Sequence, residues 1–249
     1  MQCPNQITYT IRQGDNLYQL SRRYGTTVQA LLALNPNIDP YNLILGSTIA
    51  VCPGEGFAPP PNPNPPACPN PAAQFALLSG MRKAWEQHVY WTRLFLISTA
   101  ERLRDLDATT ARLMRNPGDI ANIFGAYYSA DTAKEIEQLL TEHLQIGGAL
   151  ITALRDGQTA QAETLKRRWY ANADKMAEAF DAISPFYQLE EVRKMFYTHL
   201  DLTTREVTAR LAGNYPADIA AFDQVEQEAI RMADYFSAGI LRQFPQRFH

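Results

Sequence analysis

ITYTIRQGDNLYQLSRRYGTTVQALLALNP, residues 7–36, changes its hydrophobic period twice within one short stretch. Ile7 to Ile11 alternates β-branched and aromatic side chains, as a half-buried strand does. Gln13-Gly14-Asp15 is turn chemistry, and Asp15 is placed to cap a helix over Asn16–Tyr24 with Leu17 and Leu20 on its inner face. Gly25 suits the left-handed position that ends a helix, and Thr26 or Thr27 can start a second one carrying Val28, Leu31, Leu32 and Leu34. Asn35-Pro36 stops it. Beyond the turn-rich NIDPYN, Thr48 to Val51 reads as a second strand, which gives the order βααβ.

These residues closely resemble the LysM domain from Ile7 to Cys52, through YTIRQGDNLYQLSRRYGTT, the central NP and the L-x-x-G-S-T-I of Leu43 to Ile49. The fold class is then an α+β LysM module followed by an all-α up-and-down helical bundle. The resemblance implies binding of N-acetylglucosamine glycans such as peptidoglycan or chitin. It implies a shallow groove between Gly14, Asp15, Asn16 and Leu17 on one side and Asn37 and Ile38 on the other. Asn16 stands where Thr or Ser is usual after G-D. The module has three basic residues (Arg12, Arg22, Arg23), three acidic ones (Asp15, Asp39, Glu55) and no lysine, so electrostatics would not drive its binding.

A core this small benefits from a covalent aid. Cys3 lies four residues before the first strand and Cys52 directly follows the last, so antiparallel pairing would make them neighbours. Cys52–Cys68 is the other pairing, and the cysteine left over would be a free thiol or an intermolecular crosslink. Three cysteines are too few for a four-cysteine zinc site.

Residues 53–71, PGEGFAPPPNPNPPACPNP, hold nine of the chain's 16 prolines. That density excludes helix and central strand and favours polyproline II. The domain reading is 1–52 glycan-binding module, 53–72 proline-rich linker and 73–249 helical bundle. At about 3.1 Å per residue, the stretch from Ala58 to Pro71 spans on the order of 40 Å.

Amphipathic helices are expected near 74–115, 132–156, 158–183, 188–212 and 216–243, with a shorter one at 119–125. The breaks are Asn116-Pro117-Gly118, Asp156-Gly157, Ser184-Pro185 and Gly213-Asn214-Tyr215-Pro216. His88, His143 and His199 fall on or beside apolar stripes. Counting outward from the loops puts His143, Asn172, His199 and Glu228 at one height, with His88 a candidate to join them. Three imidazoles and a carboxylate suit a divalent metal, zinc or iron. The competing reading is a polar structural layer in which the histidines bond Thr92, Asn172 or backbone carbonyls. Asp174, Asp218, Asp223 and Asp234 could ligate or cap but read mostly as solvated, and Glu206 with Arg210 as a helix-surface pair.

WEQHVYWTR, NPGDIANIFGAYY, NADKMA and GILRQFP resemble an uncharacterised helical-bundle family of spore-forming Gram-positive bacteria. That likeness carries no activity. It implies a sporulating source and nothing finer. The leading expectation is a non-enzymatic cell-wall or spore-envelope protein that the LysM module holds on peptidoglycan, with the bundle as an interaction or metal-holding module and other envelope proteins as partners. No classical signal peptide is visible, so deposition from a mother cell is the expected route. A net charge of −3 and a pI near 5.8 argue against a nucleic-acid partner, and no apolar run is long enough to span a membrane. The enzymatic alternative is a metal-dependent catalyst that the module delivers to the wall. No cysteine nucleophile lies in the helical part, and no carboxylate pair can be singled out for a glycosidase.

Overall fold

The structure is a computed structural model that describes Cys3 and residues 6–40, 43–54 and 70–248. Most of the linker lies outside the described residues, and with it the polyproline expectation and Cys68. The chain divides into two units, residues 1–67 and 68–249.

In the first unit, β1 (Ile7–Thr10) and β2 (Thr48–Val51) pair antiparallel, with Ile7 opposite Val51 and Thr10 opposite Thr48. Two short helices, α1 (Leu17–Arg23) and α2 (Val28–Leu34), lie between them in sequence. Tyr9, Ile11, Leu17, Leu20, Leu31, Ile49 and Val51 form the core. The register that pairs the strand ends also brings Cys3 to Cys52, bonded with their Cα atoms 5.9 Å apart. Cys52 is therefore not available to Cys68.

The cap of α1 differs from the sequence expectation. Asn16 is the N-cap, its Oδ1 accepting from the Gln19 amide at 2.8 Å. Asp15 instead closes the preceding turn, accepting from the Tyr9 hydroxyl at 2.8 Å and the Arg12 amide at 2.7 Å. Two adjacent residues compete for one cap, and the Tyr9 hydroxyl decides by engaging Asp15.

The second unit is helical: α3 (Pro71–Ala100), α4 (Leu106–Leu113), α5 (Asn116–Gly125), α6 (Ala130–Arg155), α7 (Thr159–Ile183), α8 (Leu189–Leu211) and α9 (Tyr215–Gln243). It begins inside the expected linker, because Asn70 caps the Ala73 amide and Pro71 fits the first turn. The long first helix expected over 74–115 is two helices. α3 stops where Arg102 takes a positive φ of 51°, the Leu103 amide bonding back to the Ser98 carbonyl at 2.9 Å. Ser98 also donates to Asp105 across that turn.

Consecutive pairs α6–α7, α7–α8 and α8–α9 pack together, and α9 closes onto α3. Asp174 meets Arg193 while Tyr170 meets Asp201, and Arg82 meets Asp234 while Arg93 meets Asp218. These crossings make α7–α8 and α3–α9 antiparallel. α3 and α6 run the same way, because α4 and α5 carry the chain back between them. No described helix is long and apolar enough to cross a membrane. Phe248 buries against the second unit's core, and its carbonyl accepts from the Asn70 amide, which ties the ends of the unit together.

Candidate functional site

On the first unit, a groove of about 510 Å³ runs between the end of α2, the following loop and the start of β2. Asn37, Ile38, Ile44, Ser47 and Thr48 line it. Asn37 and Ile38 are among its lining residues, and Gly14, Asp15, Asn16 and Leu17 are not. Leu17 is 4% exposed within the core, so it offers no surface to a sugar ring. Asn16 and Asp15 are engaged in the cap and turn just described. Gly14 is an exposed turn residue with φ of 89°. Ile44, which also lines the groove, is 70% exposed. An isoleucine between two leucines, as in Leu43-Ile44-Leu45, gives no sequence sign of pointing outward.

On the second unit, His88 from α3, His143 from α6 and His199 from α8 converge. Each sits on the buried stripe of its helix, as with Met81, Trp85 and His88, or Val192, Met195, Phe196 and His199. Ring centroids lie 5.9 Å apart for His88–His143, 5.7 Å for His88–His199 and 6.2 Å for His143–His199. One nitrogen from each ring falls within 4.8 Å of the others. The rings border a cavity of about 20 Å³ that Thr92, Trp169 and Thr203 also line. That is room for a single water-sized occupant.

Burial pushes the pKa of His88 down against the opposing Asn116 hydrogen bond. It pushes His143 well down, the His88 and His199 rings adding to the effect. His199 is lowered to about 3, by burial and then by His88. All three are neutral near pH 7 and carry lone pairs, the form that ligates metals. The tautomer of His88 follows from its partner. Asn116 donates Nδ2–H to the Ala84 carbonyl at 2.8 Å, which leaves its oxygen facing His88 Nδ1 at 2.9 Å. Nδ1 therefore holds the proton and Nε2 the lone pair. A histidine fixed in this way by an outer hydrogen bond is how metal sites orient their ligands.

His199 has no such fixing, and His143 has the Asn172 side chain as a weak partner that opposes the lowering of its pKa. His199 Nδ1 is buried without a hydrogen-bond partner, as is Thr203 Oγ1. Asn172 lies on α7 and donates to the Leu139 carbonyl and Glu142. Trp169 Nε1 donates to the His143 carbonyl at 3.1 Å, its ring 5.2 Å from the imidazole.

Glu228 does not join the three histidines. It borders a separate groove with Glu191, Lys194 and Arg231, the Arg231 guanidinium 3.5 Å away. Counting from loops fixes height along a helix but not the side that faces inward, and the inner face of α9 is Val225, Ala229 and Met232. Two features of the site escaped the sequence reading. Thr203 sits one turn beyond His199 on the same face of α8. Gly147-Gly148 lets aromatic rings close over α6: an added Cβ would lie 3.2 Å from Trp169 at Gly147 and 3.2 Å from Phe95 at Gly148. A glycine pair in mid-helix was the available signal.

Glu206, Arg210 and Asp218 also depart from their expected surface roles. Arg93 reaches Glu206 at 2.6 Å and Asp218 at 2.7 Å, both carboxylates being buried. Arg210 turns from Glu206 to Asp218 and Glu101.

No curated protein and no solved structure matches the chain. Residues 9–51 match the family model of the LysM domain, which supports binding of N-acetylglucosamine-containing glycans by this unit and speaks to nothing beyond residue 51.

Proposed function

We propose that this chain is a glycan-tethered protein of the cell wall or spore envelope. Its first unit holds an N-acetylglucosamine glycan such as peptidoglycan, and its helical unit presents a divalent metal, zinc or iron, on His88, His143 and His199. Asn37, Ile38 and Ile44 are the groove residues assigned to the sugar. Backbone and hydroxyl groups there suit acetamido and hydroxyl partners, and the isoleucines suit the ring face.

One observation carries the metal reading over a structural polar layer. A structural layer would pair its polar atoms, because each unpaired buried group costs about 1–3 kcal/mol. Here His199 Nδ1 and Thr203 Oγ1 are buried with no hydrogen-bond partner, and His143 Nδ1 has only the Asn172 side chain as a weak one. Three protein ligands with a fourth position open is also the arrangement of catalytic rather than purely structural zinc. That feature supports the second reading, a metal-dependent enzyme acting at the wall.

The test is elemental analysis of the full-length protein beside a His143→Ala, His199→Ala variant, with both tested for co-sedimentation with insoluble peptidoglycan. Near-stoichiometric metal lost in the variant, with sedimentation unchanged in both, supports the two-part reading. Metal-free parent protein rejects the metal centre, and parent protein left in the supernatant rejects the tether.

A further inference from the structure

Three neutral imidazoles bind a divalent cation without cancelling its charge. The cavity they border has no carboxylate among its lining side chains, and no other charged group except the histidines themselves when protonated. The buried carboxylates Glu206 and Asp218 already face the guanidinium groups of Arg93 and Arg210. A double positive charge in such surroundings is costly, and the cost is met by bringing in an anion.

The cavity also holds a hydrogen-bond donor with nothing to donate to. Thr203 Oγ1 is buried and unpartnered. The other hydroxyl, Thr92 Oγ1, already donates to the His88 carbonyl at 2.7 Å. Space is limited to about 20 Å³. However, Phe95, Leu113, Leu144 and Gly148 line both this cavity and a surface groove of about 430 Å³. The two spaces are therefore neighbours across Phe95, on the side toward which an anion longer than one atom would extend.

We infer that the fourth position at the three-histidine metal is a site for a small monovalent anion, with the Thr203 hydroxyl as its hydrogen-bond donor. This rests on the metal reading above and adds the class of ligand that the site accepts. Charge selects the anion, cavity size keeps it small, and Thr203 sets its affinity.

The experiment uses the full-length protein loaded with Co(II) and titrated with sodium azide, read by the visible absorption bands of the cobalt. The expected result is a saturable change of those bands. Thr203→Val removes the hydroxyl at nearly constant volume and should weaken azide binding at least tenfold with cobalt stoichiometry unchanged. Tenfold is about 1.4 kcal/mol, just below the range for a hydrogen bond to a charged group. Thr203→Ser should restore most of the affinity. Cobalt bands that ignore azide, or a Thr203→Val protein that binds azide as the parent does, overturn the anion site and leave the metal reading standing. Absence of cobalt bands overturns both.

Discussion

Asn35 treats Ala50 as a neighbouring strand would: its side-chain oxygen accepts from the Ala50 amide at 2.8 Å and its nitrogen donates to the Ala50 carbonyl at 2.8 Å. A third bond, to the Leu31 carbonyl at 2.7 Å, fixes the amide in place. The free edge of a two-stranded sheet is thereby partly covered from the end of α2. At about 1 kcal/mol per bond, Asn35→Ala should cost the first unit roughly 2–3 kcal/mol. Amide exchange at Ala50 and Val51 measures this, and unchanged protection would refute the edge-covering role.

The crosslink should matter to one unit only. Closing a loop with a sequence separation of 49 is worth about 4 kcal/mol on the chain-entropy relation. Cys3→Ser with Cys52→Ser should therefore lower the melting of the first unit markedly. Trp85, Trp91 and Trp169 all lie in the helical unit, so tryptophan fluorescence should report an unchanged second transition.

The Arg93 cluster gives a stability with a definite pH direction. Burial raises the Glu206 pKa from 4.5 to about 7, with Asp218 adding to the rise and Arg93 opposing it. A raised carboxyl pKa means the folded state holds its proton longer than the unfolded chain. Glu206 thus contributes stability that is fully present below about 4.5 and is lost as pH climbs through about 7. Glu206→Gln should flatten the melting temperature between pH 5 and pH 8, whereas Arg93→Leu strands the buried Glu206, leaves Asp218 to Arg210 alone and should cost about 3–5 kcal/mol.

Two helix glycines should respond in opposite ways. A Cβ on Gly239 would come within 2.6 Å of Tyr187 Cζ, and Tyr187 is fully buried with its hydroxyl bonded to the Phe236 carbonyl. Gly239→Ala should destabilise the helical unit by about 1–3 kcal/mol. Nothing lies within 4 Å of a Cβ on Gly80, so Gly80→Ala should stabilise α3 by about 0.4–1 kcal/mol. Urea titration followed by tryptophan fluorescence distinguishes them.

Where the chain announces its turns with glycine, the sequence was readable. Gly157 and Gly213 take positive φ at the ends of α6 and α8, and both breaks were placed from sequence. The end of α3 uses the same closing turn with Arg102 in the left-handed position, and an arginine carries no such signal. The βααβ order was legible because strand and helix periods differ. The groove was half legible: turn chemistry located the loops but did not say that Leu17 faces the core and Ile44 the solvent. The histidines fell on stripes whose period could be read, so their convergence was accessible. The direction of Glu228, and the engagement of Glu206 by a residue more than a hundred positions away, depend on helix rotation that no local pattern encodes.

The Cys3–Cys52 bond also makes the firmness of the first unit depend on its redox surroundings. Among reducing thiols the pair stays open, and the small unit rests on a core too slight to be secure. In oxidising surroundings the bond closes and the groove gains a firmer frame. The redox state of the surroundings thus sets how firmly the small unit holds its shape.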